Sequence, residues 1–315
     1  MILDADLHSS AARAYALEST RAIALTSAAG HAYTLYIGWP AGAPPVGGWP
    51  VVYMLDGETF GIAREIMRYQ LGGGPQPLAT PRVLVAIGYP GASRRATDYA
   101  PSAMGEPHAF RRFLIDEVCP RIQREFDVNA TQQTLMGHSI GGLFVLETLF
   151  EQFALPGRGA FKRYVASSPS VWWREGHLPG AAQRFVQACS ASQALSPVSQ
   201  SSITQASHAD ASLTQASTNQ ASREPMHGEA DSTIGLTLSA AEYDEALSPA
   251  EQALPLVERD VLANTRRTRR MVQGNRELAA QLAQVPGLDV DFQVFEAETH
   301  RSVWPRAITY AMRAP

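Results

Sequence analysis

The sequence predicts an α/β fold with a mainly parallel central sheet flanked by helices. Three observations carry this expectation. Short apolar runs recur along the chain, each ended by glycine or a polar pair. Stretches with helical periodicity lie between them. The two patterns alternate, as they must when each parallel strand needs a crossover to reach the next.

Taken in order, residues 20–38 alternate loosely and read as early strands. A turn-rich connection follows at 38–48. Pro50-Val-Val-Tyr-Met-Leu55 then stops at Asp56-Gly57, as a buried parallel strand does. Arg82–Gly88, Gln133–Gly137 and Arg163–Ser167 repeat the pattern. Between 107 and 126, Phe110, Phe113, Leu114, Val118, Ile122 and Phe126 recur at spacings of three and four, placing them on one helical face. Residues 141–153 predict another helix. Late in the chain, Ile234–Leu238 reads as a strand, 250–284 as helix and 304–313 as a closing helix. Leu288, Val290, Phe292 and Val294 alternate as a further strand.

One stretch breaks the rhythm. Residues 190–222 are mostly Ser, Gln, Ala and Thr, and Thr-Gln-Ala-Ser occurs at both 204–207 and 214–217. With few large apolar side chains, little burial could offset the entropy of ordering it. We expect a flexible, low-complexity insertion at about 188–232 within a single domain spanning 1–315. A partly helical lid is the competing reading, because Ala and Gln favour helix.

Composition narrows the function classes. The chain is 45% hydrophobic and 18% charged, with a formal net charge of −4. That is ordinary for a globular protein and gives no electrostatic footprint for nucleic acid or an anionic membrane. No segment approaches the roughly 20 apolar residues of a membrane span. The N-terminus shows no basic or apolar leader. Two cysteines, Cys119 and Cys189, make no disulfide framework, so the expectation is a cytoplasmic protein.

The chemistry centres on Gly137-His138-Ser139-Ile140-Gly141. Gly-x-Ser-x-Gly between an apolar strand and an apolar helix is the nucleophile elbow of an α/β-hydrolase fold. The serine occupies a tight strand-to-helix turn, and glycine on both flanks avoids a clash. The helix start would bring the Ile140 N–H to the oxyanion of a tetrahedral intermediate. Alone the pentapeptide is weak. Its support comes from its flanks and from His300, because the order in this fold is Ser, acid, His.

His300 follows the last strand and would act as general base. His177, after Trp172-Trp173, is its one serious rival as a site residue. The acid should follow the strand ending near Ser239. Glu242 and Asp244 both fit, with Glu242 preferred. Glu298 is too near the histidine to orient it well, and a Ser-His dyad without an acid is the remaining option. The second oxyanion donor should be the N–H of Glu58 or Gly57, in the loop after the strand at 51–55.

With these pieces in place, the chain resembles the "Putative esterase" family of α/β-hydrolases, which includes esterase D, mycolyltransferases and ferric-siderophore esterases. Val-Val-Tyr-Met-Leu-Asp-Gly (51–57), Arg94-Arg-Ala-Thr-Asp-Tyr99, Gly-His-Ser-Ile-Gly-Gly (137–142), Ser-Pro-Ser-Val-Trp-Trp (168–173) and Thr-His-Arg-Ser-Val-Trp-Pro-Arg (299–306) carry it. The last two point to the siderophore-esterase branch. The resemblance implies catalysis by Ser139 and His300 and an oxyanion donor at Glu58. It further implies that Arg94 and Arg95 help hold an anionic ligand. Trp172, Trp173 and His138 join them as candidate substrate contacts, since a ferric tris-catecholate is anionic and aromatic. The expected function is hydrolysis of a small-molecule carboxylic ester, with a siderophore trilactone as candidate and no metal or cofactor required for the chemistry. A thioester or S-formylglutathione hydrolase and a non-catalytic binding module are the alternatives.

Overall fold

Strands β1 (Thr20–Thr26), β2 (Ala32–Gly38), β3 (Trp49–Leu55), β4 (Val83–Gly88), β5 (Val128–His138), β6 (Arg163–Ser167), β7 (Ile234–Ala241) and β8 (Leu288–Phe295) form one sheet. Its order is β1-β2-β4-β3-β5-β6-β7-β8. The computed structural model describes residues 16–72, 78–101, 107–155, 159–174, 176–194 and 233–313. β1 and β2 form an antiparallel hairpin, and β2 pairs antiparallel with β4. Every other pairing is parallel.

Helices α1 (Phe60–Leu71), α2 (Arg95–Tyr99), α3 (Pro107–Arg112), α4 (Cys119–Glu125), α5 (Ile140–Phe153), α6 (His177–Ala194), α7 (Pro249–Gln252), α8 (Leu256–Arg269), α9 (Met271–Leu282) and α10 (Val303–Arg313) provide the crossovers and covers. A π-helical turn at Phe113–Val118 joins α3 to α4.

Strand alternation divides the core into two layers. On β3, Val51, Tyr53 and Leu55 face the cluster that α5 covers, with Phe144, Val145 and Leu149. Val52 and Met54 face the opposite cluster, which α1 and α10 close with Met67, Ile308 and Met312. Burial on both faces explains why these strands read as unbroken apolar runs.

Three boundaries differ from expectation. β5 begins at Val128, because the half-buried Asn129 and the exposed Ala130–Gln132 stretch extend it before the apolar run. The helical stretch at 250–284 is three helices. Pro255 has no N–H to continue α7, and Arg270 takes a left-handed conformation with φ 46° between α8 and α9. α6 runs on to Ala194, so the first residues of the expected insertion are helical. The remainder of that insertion, 195–232, lies outside the described residues. β6 and β7, on its two sides, pair directly. Among the described residues, no helix is long and apolar enough to cross a membrane. Cys119 is a buried free thiol.

Candidate active site

Ser139 lies between β5 and α5 at φ 59° and ψ −117°. A non-glycine residue there is strained and needs external support. Three backbone bonds supply it. Its N–H donates to Ser167 O at 2.9 Å, and its carbonyl accepts from Leu143 N at 3.0 Å and Ser170 N at 3.2 Å. Gly137 is obligatory, since a Cβ would lie 2.6 Å from the Gly141 carbonyl oxygen. The other flank is less demanding than expected. A Cβ at Gly141 would meet Leu55 at 3.4 Å, an ordinary contact, whereas at Gly142 it would press on Pro169 at 3.1 Å.

His300 follows β8 and precedes α10. Its Nε2 is 3.0 Å from Ser139 Oγ and its Nδ1 is 2.7 Å from Asp244 Oδ1. The tautomer with Nδ1 donating to Asp244 and Nε2 accepting from Ser139 satisfies both contacts. The preferred acid, Glu242, does not reach the imidazole. Its Oε2 instead accepts the Ala297 N–H at 2.7 Å. Glu242 opens a single 3₁₀ turn over Glu242–Asp244, and that turn brings its third residue, not its first, back over the end of β7.

Asp244 is almost wholly buried, with 2% of its side chain exposed. Burial pushes its carboxyl up, but the hydrogen bond and charge of His300, the Ser168 hydroxyl and the Ala241 N–H outweigh it and hold the group below the usual carboxylate range. Ser168 Oγ donates to Asp244 Oδ2 at 2.6 Å, and the Ala241 N–H donates to the same oxygen at 3.0 Å. Ser168 has φ 41° and is fixed by its own N–H donating to Ser239 O at 2.7 Å. Ser168 falls in the 168–173 motif, but the sequence gives it no role, because its partner is remote along the chain. Ser170, in the same motif and 3.4 Å from Ser139 Oγ, has no role assigned for the same reason.

The loop after β3 carries the expected donors Gly57 and Glu58. Asp56 has a left-handed φ of 60° and leads into a 3₁₀ turn over Gly57–Thr59. Gly57 packs on Gly88, at the end of β4, so closely that a Cβ would lie 2.7 Å from the Gly88 backbone. Ile140 opens α5, whose first N–H groups have no intrahelical partner.

The candidate substrate contacts separate. Trp172 lines the cavity at Ser139 and His300, together with Tyr243, Thr265, Arg266 and Arg269. Trp173 turns away and donates its indole N–H to Pro101 O at 3.2 Å. Arg94 and Arg95 do not line this cavity. Arg95 is clamped on Asp56, and Arg94 reaches Asp98 at 3.4 Å. The sequence shows two charges in a loop but not the inward-facing carboxylates that bind them. His138 does not line this cavity either. Its ring centre lies 4.6 Å from that of His300 and 5.7 Å from that of Trp304, on which it stacks. Burial first, then the nearby His300, pulls its pKa down to about 3, so the ring is neutral. His177 belongs elsewhere, bonded to Glu147 at 2.6 Å. Among the described residues, no group of three or more His, Cys, Asp or Glu side chains could hold a metal ion.

Comparison with known proteins identifies the family and the fold. Residues 26–248 match the family model described as "Putative esterase". The chain is 34% identical over 176 residues to the ferri-bacillibactin esterase BesA of Bacillus subtilis, a match covering 49% of this chain and 59% of that protein. It is 30% identical over 195 residues to the siderophore triacetylfusarinine C esterase of Aspergillus fumigatus, covering 53% and 61%. The chain thus spans about three fifths of the length of these curated relatives. Among solved structures, the siderophore hydrolase EstB from Aspergillus nidulans superposes with a TM-score of 0.73 at 21% identity, covering 96% of both chains. The BES protein from Bacillus cereus gives 0.67 at 24%, again covering 96% of both. These likenesses establish the α/β-hydrolase fold.

Proposed function

The chain belongs to the "Putative esterase" family, and on that premise we propose that it is a serine carboxylic-ester hydrolase. The observation that carries the proposal is the unbroken series Ser139–His300–Asp244, with contacts of 3.0 and 2.7 Å. Ser139 Oγ attacks the ester carbonyl carbon as its proton passes to His300 Nε2. The carbonyl oxygen takes the electron pair and is met by the N–H of Ile140 and by that of Glu58 or Gly57. Buried Asp244 fixes the imidazole and stabilises its cationic form. The intermediate collapses, the C–O bond to the alcohol breaks, and His300 returns its proton to the departing oxygen. Water then attacks the acyl-enzyme, giving one proton to His300, and Ser139 is released with its hydrogen restored.

The substrate class we favour is a siderophore ester. The names of the similar proteins support it, as does a cavity whose wall holds Trp172 and Arg269. A cytoplasmic setting belongs to the same reading, since two cysteines make no disulfide framework. Ser139→Ala should abolish hydrolysis of a short p-nitrophenyl ester, and retained activity would overturn the assignment. A panel of ferric trilactones, simple esters and S-formylglutathione tests the substrate class. Preference for S-formylglutathione would reject the siderophore reading and leave the serine mechanism intact.

A further inference from the structure

The cavity holding Ser139 and His300 has a volume of about 210 Å³. Sites that enclose a whole drug-sized ligand run to roughly 300–1,000 Å³, so this one takes the reacting ester and little more. A second cavity of about 690 Å³ adjoins it, between the start of α6, α8 and α9, where Pro179, Asn264, Thr268 and Gln281 line it. The two share Trp172, Thr265 and Arg269.

The shared wall has a definite chemistry. The Arg269 guanidinium stacks over Trp172, 4.4 Å from the ring centre. Its neighbours are already neutralised. Arg266 holds both oxygens of Glu251, at 2.5 and 2.8 Å, and Arg270 pairs with Glu277 at 2.8 Å. Among the described residues, no carboxylate lies within ion-pair distance of Arg269. A guanidinium held over an indole face still has N–H groups to offer an oxyanion, while the rest of the aromatic surface can take another ring.

We propose that the second cavity is a distal subsite for an aromatic, anionic arm of the substrate, read by the Trp172–Arg269 stack while the scissile carbonyl sits at Ser139. This rests on the ester-hydrolase reading and extends it from the bond cleaved to the group recognised. Catecholate and carboxylated aryl groups share the required chemistry.

The test uses p-nitrophenyl 6-(benzamido)hexanoate and its 4-carboxybenzamido counterpart, with p-nitrophenyl acetate as the reference rate for each variant. The wild-type protein should favour the carboxylated ester over the neutral one by about tenfold in kcat/KM. Arg269→Met should bring that ratio near one. Thr268→Trp, which narrows only the second cavity, should raise KM for both aryl esters relative to the acetate. Ratios that stay at the wild-type value in both variants would overturn the subsite. Calorimetric binding of 6-(4-carboxybenzamido)hexanoate to Ser139→Ala, weakened when Arg269→Met is added, supports the subsite independently of turnover. Failure to cleave all three esters would instead strike at the hydrolase reading.

Discussion

Arg95 grips Asp56 with two parallel hydrogen bonds, Nε to Oδ1 and Nη2 to Oδ2, both 2.9 Å long. The same Nη2 lies 3.5 Å from the carbonyl of His138, the residue before the nucleophile. Asp56 opens the turn that carries Gly57 and Glu58, and its N–H is fixed by the Tyr99 hydroxyl at 3.3 Å. One guanidinium thus ties the candidate oxyanion loop to the nucleophile elbow.

Replacing Arg95 separates this bracing from a role in ligand binding. Arg95→Met leaves a buried carboxylate unpaired, at a cost of about 2–3 kcal/mol, below the range for a fully buried pair because Arg95 is partly exposed. Thermal denaturation should show a clear fall in Tm, and kinetics should show kcat falling more than KM rises. A raised KM with unchanged Tm would place Arg95 in substrate contact instead.

The two acids of the Glu242–Asp244 turn are distinguished by kinetics. Asp244→Asn keeps the shape but loses the charge that stabilises the imidazolium and selects its tautomer, so kcat should drop by about 10³- to 10⁴-fold. Glu242→Gln retains an acceptor for the Ala297 N–H and should change kcat by less than about twofold. Equal losses in the two variants would refute the assignment of Asp244.

What the sequence made legible was local. β3, β4 and β6 could be read because apolar runs buried on both faces need no context, and Ser139 could be read because the elbow is built from consecutive residues. The acid was not legible. Whether Glu242 or Asp244 faces His300 depends on how one turn winds and on Ser168, which arrives from the end of β6. Arg94 and Arg95 mislead for a related reason, since charge is visible in a sequence but its buried partners are not. The neutral state of His138 depends on burial, to which the Trp304 ring of α10 contributes, and on the nearby His300.

That neutral histidine predicts a pH dependence of stability. In the unfolded chain the imidazole protonates near 6.5, and in the fold it resists to about 3. Between those values the unfolded state binds more protons, so stability is full above about 6.5 and declines as the pH falls below it. Tm measured from pH 7 to 5 should therefore fall, and His138→Phe should flatten the curve. Asp244 acts lower. Its depressed carboxyl contributes stability that is present above 3.8 and lost as the pH falls through its folded value. An identical slope in wild type and His138→Phe would show that another group carries the effect.

Gly57→Ala tests the oxyanion loop without touching a functional side chain. An added Cβ would sit 2.7 Å from both Cα and N of Gly88, and those backbone atoms, at the end of the buried strand β4, cannot yield cheaply. The 3₁₀ turn must move instead, and with it the N–H groups of Gly57 and Glu58. Loss of one well-placed oxyanion donor costs about 10²- to 10³-fold in kcat, so a fall of that order is expected with KM for a short ester little altered. Far-ultraviolet circular dichroism should stay near wild type, because the clash falls on a loop and not within the sheet. Serine phosphonylation by a fluorophosphonate should slow in parallel, since it forms a similar oxyanion on Ser139. Wild-type kcat and phosphonylation rates in a folded Gly57→Ala protein would remove this loop from the oxyanion site.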